Sequence, residues 1–207
     1  MPNEEMLYPP HMKEHLCSLN KNAPANGENT EPVIRSLDQY LADILSFGES
    51  TEDAAEIAAF IKDQQERIDA VRTACAGKQP VRVFIYAGRN DAGRIFTSSS
   101  EHFETLLIEA AGGRSIFHDR TGGLWVTVSE QEIVSMDPQV MVIHAGEEDI
   151  FDEMTADIEQ SPQLSQLRCV RESNFVPIAQ ENVMPGVQVA NAVEWFFRWF
   201  QKADNQL

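Results

Sequence analysis

The residues able to do chemistry in this chain are grouped around one loop and a few isolated side chains. The loop Gly88–Arg94, GRNDAGR, follows an apolar run and carries two glycines at the separation a phosphate-cradling loop uses. Such a loop needs a Lys after its second glycine to reach the phosphates, and then a Ser or Thr to hold Mg²⁺. Arg94 and Ile95 stand at those positions, so nucleotide binding is not expected. No G-x-G-x-x-G fingerprint is present, which argues against a dinucleotide cofactor. His102, His118 and His144 have no metal-motif spacing, and no nucleophile elbow accompanies them. Cys17, Cys75 and Cys169 are too few and too scattered for a disulfide framework or a zinc site. The acidic run Glu147-Glu148-Asp149 reads as a solvated helix start. The expectation is therefore no cofactor, no resident metal, no covalent step and no enzyme.

What remains is a set of binding groups. Tyr86, Arg89, Arg94 and Phe96 are placed on the loop after the first strand, Trp125 on a second loop and His144 at the end of another strand. A His at the carboxyl end of a parallel strand can face a ligand cleft, or it can be a satisfied structural His. Two arginines on a glycine-flanked loop can meet carboxylate or catecholate oxygens. Their other reading is a solvated loop with each cation paired to a nearby acid such as Asp91.

These groups need a scaffold, and the periodicity supplies one. Residues 1–35 are broken by Pro9, Pro10, Pro24, Pro32 and several Asn, and no regular element is expected there. Ser36 caps a helix from Leu37 to Phe47 that Gly48 stops. Ser50 and Asp53 suggest a capping-box start for a long helix from Thr51 to about Cys75, about 40 Å long, which reads as a strut between two bodies. From Pro80 onward strands and helices alternate. Strands are predicted at Val81–Ala87, Ser115–Phe117, Gln139–His144 and Phe175–Ile178. Helices are predicted at Glu101–Ala111, Ser129–Met136, Glu148–Glu159, Pro162–Cys169 and from Gly186 or Val187 to Lys202. The fold class is α/β, a parallel helix-flanked sheet of about four or five strands. The divisions are an irregular 1–35, a helical linker over 36–77 and an α/β lobe over 78–207.

Composition narrows the partners. Hydrophobic residues make up 43% of the 207, enough for a core. The net charge of −17, from 33 acidic and 16 basic residues, argues against nucleic acid, which needs clustered cations. No apolar run is long enough to span a bilayer. The closing run WFFRWF is read as core packing, because basic flanks are missing. The start of the chain shows no apolar leader core.

Three segments resemble the class III substrate-binding proteins of ABC importers, the family of iron-siderophore, haem and cobalamin binders. They are VRVFIYAG with RIFTSSSEHFETLLIEAAGG, SIFHDRTGGLWVTVSEQEIVSMDPQVMVIHAG, and FVPIAQENVMPGVQVANAVEWF. Trp125, Thr127, Ser129, Glu132, Asp137 and Pro138 fall in the family's register, and the similarity covers about residues 36–202. It implies the C-terminal lobe of a two-lobe binding protein, led by its interlobe helix. Residues 1–35 would then be the last piece of an N-terminal lobe, and the absent leader would have gone with that lobe. The complete protein would be periplasmic, or extracytoplasmic and membrane-anchored. It would capture a metal chelate and deliver it to an ABC permease in the membrane.

The resemblance, with the loop positions, makes Tyr86, Arg89, Arg94, Trp125 and His144 the expected ligand contacts. Glu132, with Glu130, is expected to dock the permease, or else to be a helix-start acid that favours the dipole. Departures are Gln131 in place of one of two family acids, Gln188 in place of an Arg, and an extra residue with two arginines after Tyr86. The alternatives are a single-lobe cytoplasmic α/β protein serving in partner interaction, or a small α/β enzyme.

Overall fold

A computed structural model describes residues 34–204. The expectations for residues 1–33 lie outside the described residues. Four parallel strands form the central sheet: β1 (Val81–Tyr86), β3 (Gly113–Ser115), β5 (Val140–His144) and β6 (Phe175–Ile178), in the order β3-β1-β5-β6. Val83 of β1 stands opposite Val140, and Tyr86 opposite Ile143. All four carboxyl ends therefore share one edge.

Because side chains alternate along a strand, β1 serves two cores. Val83 and Ile85 pack into one, with α1 (Leu37–Gly48), α2 (Ala54–Cys75), α3 (Phe103–Ala110) and α7 (Val189–Asp204). Phe84 and Tyr86 pack into the other, under α4 (Glu130–Met136), α5 (Glu148–Gln160) and α6 (Arg168–Arg171). Cys169 is buried there, and burial pushes its thiol up to about 12. The closing aromatic run divides as expected of a core helix. Phe196 and Phe200 are buried, and the Trp195 indole donates to the Pro177 carbonyl.

Several boundaries differ from expectation for local reasons. α2 starts at Ala54, and Asp53 at its N-cap makes no side-chain capping bond. The Thr51 hydroxyl instead donates to the Gly48 carbonyl, closing a turn before the helix. At 22 residues α2 is about 33 Å long. It packs against α1 and α7, burying Ile57, Ile61, Gln64, Ile68 and Val71. Gln64 accepts the backbone N–H of Ala190 (3.0 Å), satisfying a donor in the first turn of α7. Arg67 grips Glu194 of α7 through two hydrogen bonds of 2.9 and 2.8 Å. After α3, Gly112 has φ +84° and a Cβ there would fall 2.6 Å from Cys75 Sγ; one on Gly113 would fall 2.5 Å from Phe200. The glycine pair is what lets β3 pass beneath both helices, and the strand runs Gly113–Ser115, earlier than predicted. The segment predicted as one helix from Pro162 is a 3₁₀ turn, Leu164–Gln166, followed by the short α6.

The larger departure is an added ribbon. β2 (Ile95–Ser98) and β4 (Trp125–Val128) pair antiparallel, Ser98 opposite Trp125, over the carboxyl edge of the sheet. Phe96 and Trp125 are therefore strand residues, and Tyr86 is the last residue of β1, not part of a loop. Among the described residues, no helix is long and apolar enough to cross a membrane.

Candidate functional site

The carboxyl edge carries most of the residues of interest, and the structure separates them into three groups. The first is the loop after β1. The Asn90 side chain accepts the backbone N–H groups of Ala92 and Arg94, closing a tight turn on itself. Arg89 Nη1 donates back to the Gly93 carbonyl of that turn at 3.4 Å, and the rest of its guanidinium reaches two acids outside it. Its Nε meets Asp157 Oδ2 of α5 at 2.6 Å, and its Nη2 meets Glu130 Oε1 of α4 at 2.7 Å. Burial would lower the Arg89 value, but hydrogen bonds to Asp157 and Glu130 raise it above the ordinary one. The Tyr86 hydroxyl donates to the same Asp157 oxygen, and burial followed by that carboxylate pushes its pKa up. Burial raises Asp157 too, yet the bonds from Arg89 and Tyr86 outweigh it and hold the carboxyl low. Both loop arginines thus have acidic partners, but Asp91 is not among those observed.

The second group sits at the start of α4. Ser129 and Glu132 form a reciprocal capping box. Glu132 also receives Arg120 at 2.9 Å and lies 3.6 Å from Arg94, whose guanidinium donates to the Thr127 carbonyl. The backbone and hydroxyl of Ser129, and then Arg120, hold the Glu132 carboxyl low. Glu130 is bound on its other oxygen by Ser161 Oγ at 2.7 Å. Each acid expected at a docking face therefore has internal work as well, and Glu132 is the more exposed, at 34% against 20%.

The third group is Trp125 with His144, joined by three residues the sequence reading did not select. His144 Nε2 is 3.0 Å from both carboxylate oxygens of Glu104, which is fully buried in the first turn of α3. Ser98 Oγ donates to Glu104 Oε2 at 2.7 Å. His102 caps α3, its Nδ1 accepting the Glu104 N–H at 3.2 Å. Trp125 lies against both imidazoles, with ring centroids 4.7 Å from His102 and 5.4 Å from His144, the latter edge-on. Burial raises the Glu104 carboxyl, but the His144 charge and hydrogen bond outweigh it and hold the acid ionised. Burial lowers His144, and Glu104 more than reverses this, keeping it charged above the ordinary histidine range. Burial lowers His102, which stays neutral. His118 lies elsewhere, its Nδ1 3.0 Å from the Ser115 carbonyl. Among the described residues, no three His, Cys, Asp or Glu are arranged to hold a metal ion.

The carboxyl edge thus has an aromatic centre. Its cations are tied to internal acids, and its half-buried indole is set by charged and neutral imidazoles. A hydrogen-bonded carboxylate lies beneath and is closed off from water. Residues 16–181 match the model of the family described as Periplasmic binding protein. A vitamin B12-binding protein of Yersinia pestis is 24% identical over 120 residues, 58% of this chain and 41% of that protein. The chain thus spans about two fifths of the length of the curated relatives it matches. A periplasmic binding protein of Veillonella parvula superposes with a TM-score of 0.73 at 20% identity, covering 81% of this chain and 57% of that one. A periplasmic vitamin B12 binding protein of Vibrio cholerae superposes at 0.68, also at 20% identity, covering 93% and 71%.

Proposed function

The chain belongs to the periplasmic binding protein family, and from that premise we propose that it is a substrate-binding component of an ABC importer, holding a metal chelate at the carboxyl edge of its sheet. The family is one of solute binders, not catalysts. The observation that carries the reading is Trp125, half-buried where the loops of a parallel sheet converge and in contact with two imidazoles. An indole so placed offers a flat apolar face to the organic shell of a chelate. His144 borders the same face, while Tyr86, Arg89 and Arg94 serve the reading by holding the β1 loop and the ribbon in place.

The charge pattern favours one class of chelate. A polyanionic siderophore needs free cations, and the two loop arginines already have Asp157, Glu130 and Glu132 as partners. The chain's net charge of −17 repels an anion further. A neutral corrinoid suits this edge better, and the similarity to vitamin B12-binding proteins points the same way. The proposed place of action is periplasmic or otherwise outside the cytoplasmic membrane. The proposed partner is a membrane permease that receives the chelate and meets Glu132, with Glu130 beside it, at the start of α4.

Calorimetric titration with cyanocobalamin, haemin and gallium(III) tris-catecholate tests the reading. Saturable heat is expected with cyanocobalamin and is expected to be lost in Trp125→Ala. No heat with any of the three would end the chelate reading, and unchanged binding by Trp125→Ala would move the site away from the indole.

A further inference from the structure

A fully buried carboxylate is an unusual choice for the first turn of a helix whose neighbours Phe103, Leu107 and Ile108 are core residues. An apolar side chain there would avoid the desolvation of an ion pair, since buried pairs are seldom better than well-packed hydrocarbon. Glu104 instead ties three elements together. It receives Ser98 from β2 and His144 from β5, and its own N–H caps onto His102. His102 and His144 both then contact the Trp125 ring, His144 edge-on.

The two histidines shift in opposite directions for a geometric reason. His144 faces both oxygens of the carboxylate. His102 uses Nδ1 as an acceptor, so its proton is on Nε2, a buried atom with no hydrogen-bond partner. Protonating His102 on Nδ1 would break its helix cap and set a second cation near His144. The charged and titratable groups around the indole are His102 and Glu104 from the start of α3 and His144 from β5. Glu101 lies before α3 and is bound to the Gly123 N–H at 3.2 Å, just ahead of β4.

We propose that His102, Glu104 and His144 are positioning residues for Trp125, and that protonation of the two histidines sets where the indole stands on the carboxyl edge. The clamp follows from these contacts alone. Its effect on a ligand rests on the function proposed above: acid should loosen the indole and release the chelate.

The test uses the 207-residue chain carrying Trp195→Phe and Trp199→Phe, which leaves Trp125 as the single tryptophan. Its emission is followed from about pH 5 to about pH 9, since a protonated imidazole against an indole changes its emission. Two steps are expected, one above the ordinary histidine value of 6.5 for His144 and one below it for His102. Glu104→Gln should carry the upper step below 6.5, and His102→Gln should remove the lower one. Ring-proton NMR of the two histidines in the unmutated chain gives the same values should either variant fail to fold. A flat emission profile, or a single step near 6.5 indifferent to Glu104→Gln, overturns the clamp. Cyanocobalamin affinity of the unmutated chain should then fall about tenfold through the lower step. Two steps without cyanocobalamin binding at any pH would uphold the clamp and reject the ligand reading instead.

Discussion

Arg89 Nε stands 2.6 Å from Asp157 Oδ2, so the loop that leaves β1 is anchored to the far end of α5, 68 residues on. The sequence offered Arg89 as a ligand cation, and the structure shows it spanning Asp157 and Glu130. An ion pair this open to solvent is worth about 1 kcal/mol. Arg89→Ala and Asp157→Ala should each lower unfolding stability by roughly that amount. The double variant should lose less than the sum, because both remove the same contact. Urea denaturation of the four proteins measures the coupling. Full additivity would mean that the Arg89–Asp157 pair contributes nothing to stability.

Thr97 Oγ1 is buried without a hydrogen-bond partner. Thr97→Val keeps the shape and removes the unpaired hydroxyl, and should raise stability by about 1 kcal/mol. A lower thermal midpoint for the variant would show that the hydroxyl has a role in the ribbon.

The buried trio gives stability a definite pH dependence. Glu104, held below its ordinary 4.5, contributes stability present above 4.5 and lost as pH falls through its depressed value. His144, held above 6.5, contributes stability present below 6.5 and lost as pH rises through its raised value. His102, held below 6.5, favours the folded state above 6.5 and loses that contribution in acid. The difference between the unmutated chain and Glu104→Gln should therefore be largest between the depressed Glu104 value and the raised His144 value, and should shrink above the latter. Chemical denaturation across that window is the check. A difference that grows steadily into alkali would reverse the assigned sign.

At the start of α4, Ser129 and Glu132 cap one another. Ser129→Ala and Glu132→Ala should each cost about 1 kcal/mol of stability. Only Glu132→Ala should slow transport into vesicles containing the permease if Glu132 also docks. Equal transport in the two variants would rule out the docking role of Glu132.

Much of this scaffold was legible because its signals are local. VRVFIY, apolar but for Arg82, and VMVIH, apolar up to its final His, became the two central strands. Ser129 marked the start of α4 to within one residue, and Met136 its end. The ribbon was not legible, because Ile95–Ser98 finds its partner thirty residues later and neither strand is long enough to show a period. Trp125 and His144 were picked out by type and place, and the structure brings them into contact. Glu104 was missed because a carboxylate on a helix is ordinarily read as solvent-facing. Its signal was its spacing, three and four residues before the buried Leu107 and Ile108, which puts it on the inward face. Asp157 carried no such mark, since the acids of α5 look alike until Arg89 selects one.

The central claim is that the carboxyl edge around Trp125 receives a neutral chelate and that Arg89 and Arg94 do not meet it. NMR titration of the ¹⁵N-labelled chain tests this most directly, because it detects weak binding residue by residue. With cyanocobalamin, the largest shifts should fall on the Trp125 indole, His144 and residues 98–102, and gallium(III) tris-catecholate should leave them unmoved. Shifts centred on Arg89 and Arg94 with the anionic chelate, and none at Trp125 with cyanocobalamin, would contradict the account.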